Sequence, residues 1–565
     1  MKTLNSILTK RCISGGKILG RIGSLFLVLF SLSSSFSQSV AQRPFISTWN
    51  TSPDPYTQTS HIIFPGIGQN YTIFWTGRVG GRTVYGELLG NNATRINFPA
   101  PGTYQVRVGP GNGVFHRIQM LASEAVKLVS VDQWGSVQWS SMANAFASCS
   151  NMNVLATDVP DLSNVTDMSS MFSYCRRLTG NPTFNSWNTG NVRNMSMLFY
   201  FAHAFNQPIG NWNTGNVTSM SSTFYGAYAF NQPIGNWNTG NVNLMTYMFA
   251  QARIFNQPIG NWNTSKVTSM TGLFYHAYAF NQPIGNWNTR NVIFMDGMFG
   301  FNPVFNQPIG NWNTQNVINM SVMFSSATAF NQAIGNWNLT KVLNTDYMFY
   351  NAYAFNQPLS NWNTSAVTTM IGMFGYAYAF NQSLGSWNVN KVAKMNAMLD
   401  YCGLSTDNYD ATLNGWYSRS VQKSVTLGAA SLTYCKGSGR RDMYKRFSRW
   451  LIFGDIYDCS DCTECRENAE QVAAVNKPKI DAETGPDFAY PNPVSDRLFL
   501  KEQGSGIQAF MLTDLTGRVV LKKEEKISSP LQKEISVSDF ASGIYILTLR
   551  DRDGKTQTQQ IVVKK

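Results

Sequence analysis

The carboxylates are the first residues to locate, because hydrolysis of a glycosidic bond generally needs two of them facing each other. Between Leu178 and Leu399 the chain has no glutamate, and its only aspartates are Asp296 and Asp346. They stand far apart, each inside a segment expected to be helical. We predict that both are solvated surface residues and that this stretch holds no catalytic pair.

The histidines form no recognisable metal or catalytic motif. The chain has four, His61, His116, His203 and His276, and none belongs to an HExxH spacing. A GxSxG nucleophile elbow is also missing, as are the periodic aspartates of calcium-binding nonapeptide repeats. We therefore expect no catalytic residues, no metal and no cofactor, and predict that the protein is not an enzyme.

The cysteines fit an exported chain. Cys149 and Cys175 are almost one repeat period apart, so they could lie on adjacent repeats and form a disulfide. A CxxCxxC run could also hold a metal, but disulfides are favoured in an exported protein. An odd count leaves one thiol free or available to a partner. The candidate disulfide cysteines are Cys149, Cys175, Cys402, Cys435, Cys459, Cys462 and Cys465.

The first 41 residues predict a secretory signal peptide. Five cations precede an apolar run from Ile22 to Leu32, and a plausible cleavage site follows Ala41. Of the formal charge of +13, these five cations account for +5, which leaves about +8. That modest charge, together with export, argues against nucleic-acid binding. No other apolar stretch is long enough for an integral membrane segment.

Residues 129–400 predict a repeat array. FNQPIGNWNTGNV begins at Phe205 and recurs at Phe230, and tryptophan returns every 25 residues from Trp187 to Trp387, nine times in all. Two degenerate copies, starting at Val137 and Val165, precede these, so about eleven units stack. The spacing of Val217, Met220, Phe224 and Ala227 predicts a short helix or 3₁₀ turn with one apolar face. A short strand is expected at 209–213. The recurring Asn206 and Asn213 are predicted to form ladders between repeats.

Aromatic residues beside the helical face are candidates for an interaction surface, because exposed aromatics on a rigid scaffold can contact sugars or proteins. The alternative is that they pack between repeats. They are Tyr225, Tyr228, Tyr275, Tyr278, Tyr350, Tyr353, Tyr376 and Tyr378. A second candidate surface, for ice or mineral, is the threonine file at 189, 214, 239, 264, 289 and 314.

The remaining blocks differ from the array in composition. Residues 43–128 carry short alternating β-branched and aromatic runs, which predict an antiparallel β-sandwich. The segment APGTYQVRV resembles a strand of the polycystic-kidney-disease-type immunoglobulin-like module. Residues 401–465 are expected to cap the array, 466–486 to form a linker, and 487–565 to form a small β module.

Two family resemblances follow from these motifs. The units FNQPIGNWNTGNVTSMSSTFYGAYA resemble BspA-type leucine-rich-repeat surface proteins, which implies a right-handed solenoid and a role in adhesion. The final block resembles the type A sorting domain of type IX secretion, which implies recognition by that secretion machinery. The matching residues include Tyr490, Pro491, Asn492, Pro493, Gly517, Arg518, Gly543 and Tyr545.

Together these features predict a mixed α+β fold, with a leucine-rich-repeat-like solenoid between an immunoglobulin-like domain and a sorting domain. The expected function is non-enzymatic adhesion to an unknown protein or glycan. The protein would be secreted or held at the outer-membrane surface. The alternatives are a carbohydrate-active enzyme with its site in the N-terminal β domain, and an ice- or mineral-binding array.

Overall fold

The computed structural model describes residues 43–55, 58–109, 111, 113–435, 440, 450–458, 489–490, 494, 497–500, 507–514, 519–524, 534–551 and 556–563. The predicted signal peptide (1–41) and linker (466–486) lie outside these residues. The chain divides into two compact units, Met1–Ala469 and Glu470–Lys565, and each is described by itself.

The first unit begins with ten strands. They are β1 (Phe45–Asn50), β2 (His61–Phe64), β3 (Gly66–Gln69), β4 (Tyr71–Val79), β5 (Arg82–Gly90), β6 (Thr94–Asn97), β7 (Thr103–Gly109), β8 (Val114–Ile118), β9 (Leu128–Gln133) and β10 (Asn153–Val154). Six of them form one sheet in the order β10-β9-β1-β7-β4-β5, and β2-β6 and β3-β8 form two short pairs. All pairings are antiparallel except β9 with β10.

Aromatic side chains fill the space between the long sheet and the short pairs. Trp49 of β1 meets Phe64 of β2 with ring centroids 6.1 Å apart, and Tyr71 of β4 meets Phe115 of β8 at 5.2 Å. All four are buried because inward positions alternate with outward ones along each strand. The same buried cluster continues through the repeats as far as Trp450, so this unit has one core.

Residues 129–400, called the repeat stack below, consist mainly of turns after β9 and β10. Successive repeats are joined by single-residue parallel bridges, which run from Asn194 through Ser219, Leu244 and their equivalents to Lys394. Two short 3₁₀ helices, Ala125–Lys127 and Pro182–Ser186, lie near its start. A bridge of one residue per repeat fixes the 25-residue register without forming a continuous strand.

The predicted fold class, mixed α+β with a leucine-rich-repeat-like solenoid, is wrong. The described residues form mainly strands and turns, and their one α-helix lies after the repeats. The short helix or 3₁₀ turn expected over Val217–Ala227 is a series of turns closed by bonds from one residue to the third before it, as Tyr225 N donates to Ser222 O, and no α-helix forms. The strand expected at 209–213 is turn and irregular backbone.

The hydrogen bonding of the backbone explains why no helix forms. Ser222 and Gly226 have positive φ angles of 56° and 66°, which interrupt a right-handed helix every four residues. The N–H of Ser222 donates to Thr246 O in the next repeat, whereas the N–H of Tyr225 donates back to Ser222 O. Every second backbone N–H group therefore donates to the neighbouring repeat. In an α-helix all of these N–H groups would donate to carbonyls of the same helix.

Three columns of stacked aromatic rings form the core of the repeat stack. The indole rings from Trp212 to Trp337 lie 6.2–6.5 Å apart and within 3° of parallel. In the second column Phe224 stacks on Phe249 with ring centroids 5.6 Å apart, and in the third Phe230 stacks on Phe255 at 5.9 Å. Each indole N–H also donates to a carbonyl of the preceding repeat, as Trp287 does to Ile259 O.

Asn206 and its equivalents form the predicted ladder between repeats. Asn206 Oδ1 accepts from the backbone N–H of Asn231 and from Gln232 Nε2. The pattern continues to Asn381, whose Oδ1 accepts from Ser405 N at the end of the stack. The prediction for Asn213 is wrong, because its Oδ1 accepts from Gly215 N inside the same turn.

The threonine file proposed for ice or mineral binding is buried. Each hydroxyl donates to a carbonyl of the following repeat, as Thr214 Oγ1 does to Asn238 O at 3.0 Å. All six threonines are at most 1% exposed. The file therefore has no surface to offer a crystal, because its hydroxyls hold adjacent repeats together.

The stack ends on helix α1 (Thr406–Tyr417), which begins at an N-cap formed by Ser405. Trp416 continues the indole column and donates to Leu384 O at 2.9 Å. Two parallel strand pairs follow, β11-β13 and β12-β14. Their bounds are β11 (Thr426–Gly428), β12 (Thr433–Tyr434), β13 (Leu451–Phe453) and β14 (Ile456–Tyr457).

The second unit is all β in its described part. Its strands are β15 (Ala489–Tyr490), β16 (Arg497–Leu500), β17 (Ile507–Asp514), β18 (Val519–Glu524), β19 (Glu534–Ser536), β20 (Gly543–Asp551) and β21 (Thr556–Val563). They form two antiparallel sheets, β15-β16-β19 and β18-β17-β20-β21. Leu498, Phe510, Leu512 and Leu547 lie in its separate core.

We expect Trp287→Ala to lower the free energy of unfolding by roughly 3–5 kcal/mol, because it leaves a cavity between Trp262 and Trp312 and removes a buried hydrogen bond. Guanidinium denaturation followed by circular dichroism measures this change. Tyr85→Ala, at a side chain 80% exposed, is the control and should stay within about 0.5 kcal/mol of wild type. Equal losses in both variants would contradict a stabilising role for the column.

Candidate binding cleft on the repeat stack

An open cleft of about 490 Å³ crosses the turns of six consecutive repeats. Four tyrosines and one carboxylate give it its chemical character. Its lining is Tyr200, Ser222, Tyr225, Tyr247, Tyr275, Asp296, Gly297, Ser321 and Val322. A concave site lined by aromatic rings with a few polar groups is the usual form of a ligand site.

Small residues keep the cleft open. Tyr247, Gly272, Gly297, Val322 and Tyr347 occupy equivalent positions in successive repeats, all with positive φ. The ring of Tyr247 covers Gly272 so closely that an added Cβ would lie 2.1 Å from its Cε1. The next equivalent position is again glycine, Gly297, so no side chain fills the cleft there.

The tyrosine rings present both faces and edges to the cleft. Tyr200 stacks on Tyr225 with centroids 4.9 Å apart, and Tyr247 is set at 71° to Tyr225 at 6.2 Å. Gln251 Nε2 donates to the hydroxyl of Tyr225 at 3.1 Å. Burial raises the pKa of Tyr200 to about 12 and also raises the pKa values of Tyr225, Tyr247 and Tyr275. All four hydroxyls therefore stay protonated and uncharged at neutral pH.

Asp296 supplies the only carboxylate in the cleft lining. Its Oδ1 accepts from Thr271 Oγ1 at 3.0 Å, and burial raises the pKa of its carboxyl. The prediction of two fully solvated aspartates is therefore wrong. Asp346, also partly buried, is held by Thr369 Oγ1 and by the N–H of Ile371.

The predicted tyrosines fall into different places. Tyr225 and Tyr275 line the cleft, whereas Tyr228 stacks on His203 at 4.3 Å and lies under the Arg253 guanidinium at 4.2 Å. Tyr278 is exposed, with its hydroxyl 2.9 Å from His276 Nδ1.

The other four predicted tyrosines pack against one another near the end of the stack. Tyr353 stacks on Tyr378 at 5.3 Å, and Tyr350 meets Tyr376 edge-on at 5.5 Å. Tyr376 in turn stacks on Tyr401 at 4.9 Å. These rings cover each other, in line with the alternative that the tyrosines pack between repeats.

Sequence reasoning missed Tyr200, Tyr247 and Asp296. The tyrosines predicted from the sequence stand in close pairs, and tyrosines that occur singly in a repeat were not considered. Aligning the repeats in 25-residue columns would have shown Tyr247 in the same column as Gly272 and Gly297, and this column marks the opening.

The described cysteines do not form the bond predicted within the stack. Cys149 and Cys175 are free and buried, and burial raises the pKa of both thiols. Cys402 is also free, with a pKa raised by burial to about 12. Cys435 is disulfide-bonded, and Cys459, Cys462 and Cys465 lie outside the described residues.

Three carboxylates near the N-terminal strands, Glu124, Asp132 and Asp158, are engaged in structural contacts. Glu124 forms a buried ion pair with Lys127 at 3.0 Å, and Asp158 accepts from the N–H groups of Trp134 and Gly135. Asp132 accepts from Thr48 Oγ1 at 2.6 Å. In the part of the chain that the structure describes, no three His, Cys, Asp or Glu residues are grouped to hold a metal ion.

The family comparison covers the repeats that build the cleft. The family described as "Mycoplasma protein of unknown function, DUF285" matches residues 140–262, 245–354 and 332–429, which together span just over half of the chain. The chain belongs to the DUF285 family. No curated protein and no solved structure matched it in the other two comparisons.

A second family, described as "Secretion system C-terminal sorting domain", matches residues 489–564, downstream of the DUF285 repeats. This tail directs the chain to the type IX secretion machinery, so the protein is exported to the cell surface or beyond it. Among the described residues, no helix has the length and apolar character needed to cross a membrane.

The described part of the sorting motif lies in the strands of the second unit. Tyr490 ends β15, and Gly543 begins β20. Tyr545 is buried and donates its hydroxyl to Ala541 O. Pro491, Asn492, Pro493, Gly517 and Arg518 lie outside the described residues.

Asp296→Asn should raise the melting temperature at pH 7 and leave it unchanged at pH 3. With its pKa raised in the folded state, the ionised carboxylate destabilises the fold above that pKa. Below the pKa of the unfolded chain the carboxyl is protonated in both states, and the penalty disappears. Thermal unfolding followed by circular dichroism at both pH values checks this. Equal melting temperatures at pH 7 would contradict it.

Removal of residues 487–565 should stop export at the periplasm, because the sorting tail lies within them. Cell fractionation and protease accessibility of intact cells, compared with the full chain, measure the outcome. Surface display at the normal level without the tail would show that another segment directs export.

Proposed function

We propose that this secreted cell-surface protein is a non-enzymatic adhesin, which binds a protein or glycan through its repeat stack. The observation that carries the proposal is the tyrosine-lined cleft. It lies on a backbone fixed by bonds between repeats, so little ordering entropy would oppose binding. The resemblance of the repeats to BspA-type surface proteins supports the same role.

Binding is favoured over catalysis by the distribution of carboxylates. The cleft lining contains one, Asp296, and the next aspartate along the stack, Asp346, does not belong to that lining. The N-terminal carboxylates Glu124, Asp132 and Asp158 are held in structural bonds. Glycoside hydrolysis would need an opposed pair.

Probing glycan and protein arrays with the exported protein tests the adhesin proposal. We expect a specific ligand whose binding falls about tenfold or more in Tyr247→Ala, since central aromatic residues carry much of the binding energy at an interface. Tyr278→Ala, an exposed ring in the stack outside the cleft, is the matched control and should bind normally.

Two results would count against the proposal. One is that the arrays yield no ligand, or only ligands indifferent to Tyr247→Ala. The other is hydrolysis of a common polysaccharide that is lost when Glu124, Asp132 or Asp158 is replaced, which would favour the enzyme alternative in the N-terminal β domain.

A further inference from the structure

Asp296 is a partly buried carboxylate without a cationic partner among the described residues. Its one described side-chain hydrogen bond comes from the neutral hydroxyl of Thr271. Arg253 lies over the ring of Tyr228 and is not part of the cleft lining. Removing a carboxylate from water is costly unless a charge or further donors compensate it.

The rings around this carboxylate also favour a cation. Tyr225 and Tyr247 are set at 71°, and their protonated hydroxyls leave the π-faces without a competing charge. Such faces attract cations most strongly where water is partly excluded. The carboxylate and the rings therefore both attract a cation. An anionic ligand would meet no positive group in the lining.

We propose that the cleft binds the ammonium group of a lysine side chain on a partner protein, an inference that rests on the binding role proposed above. An ammonium group carries three donors, and the Asp296 carboxylate retains free acceptor positions for them. The apolar stem of lysine suits the tyrosine walls. A quaternary ammonium ion would satisfy the rings but would give the carboxylate no donor.

The chain contains an equivalent carboxylate position at which three of the four cleft tyrosines are replaced. Asp346 occupies the position of Asp296 two repeats later. At the corresponding places Ala250, Gly297 and Ser325 replace Tyr200, Tyr247 and Tyr275. Asp346 therefore provides a control carboxylate in the same repeat column but outside the cleft lining, and its replacement should not affect a ligand held by the tyrosines.

A blocking variant also follows from the repeat columns. Tyr247 and Tyr347 adopt φ angles of 54° and 56° at the position where Gly297 has 61°. A Cβ added to Gly297 would find its nearest neighbour at 3.6 Å, an ordinary contact. Tyr247 and Tyr347 each lie over a glycine of the next repeat, Gly272 and Gly372, whereas the residue after Gly297 in this column is Val322. The double variant Gly297→Tyr with Val322→Gly reproduces this pairing, so it should fold while its ring occupies the cleft.

The experiment is an NMR titration of the exported protein with lysine capped as its N-acetyl methylamide. Norleucine capped in the same way, which ends in a methyl group, and choline are the comparison probes. Lysine should bind about tenfold more tightly than either. Asp296→Asn should weaken lysine binding by a similar factor, the double variant Gly297→Tyr with Val322→Gly should abolish it, and Asp346→Asn should leave it intact, with thermal melting confirming that each variant is folded.

The inference is overturned if lysine binds no better than norleucine, if choline binds more tightly than lysine, if Asp296→Asn changes nothing, or if no probe binds. In any of these cases a ligand from the arrays that depends on Tyr247 would still support the adhesin. Lysine binding without such a ligand would leave the cation site standing and overturn the adhesin.

Discussion

The structure depends on one constraint, that each repeat lies on its neighbour in a 25-residue register. Identical rings then stack on identical rings, as the indoles do at 6.2–6.5 Å. Burial of large apolar side chains in every repeat stabilises the stack at each step. A shift of one residue would break the indole hydrogen bonds, the asparagine ladder and the backbone bridges together, so the register is fixed by several kinds of contact.

The same constraint determines what the surface looks like. Because alternate N–H groups bond to the next repeat, residues such as Ser222 and Gly226 take the left-handed conformation. Side chains at these repeat positions lie outside the core, so core packing does not restrict which residues occur there. Glycine there creates an opening, and tyrosine creates a wall. The cleft arises where Tyr247 is followed by Gly272 and Gly297 in this column.

The sequence predicted the parts of the fold that depend on repetition. Tryptophan and phenylalanine recur in register and were recognised as core, and the ladder of Asn206 followed from the same reasoning. The short helix predicted as one alternative over Val217–Ala227 does not form, because a three-four-three apolar spacing is compatible with successive turns as well as with a helix. The threonine file was a candidate surface because it recurs in register, and recurrence alone does not show that carbonyls of the next repeat accept from its hydroxyls. Tyr247 and Asp296 were missed because the cleft is assembled across six repeats, and no single repeat contains it.

A stack of this kind separates stability from recognition. Gly297 and Tyr347 share one backbone conformation at equivalent positions of their repeats. Gly297 leaves the cleft open, whereas the ring of Tyr347 covers the next residue of the column, Gly372. A substitution in this column alters the surface without disturbing the aromatic columns that carry the stability. Ligand choice in such a protein is therefore set by a few outward positions, each costing little to change. This is a physical reason why the repeats can be nearly identical in their core and still differ in what they present to the outside.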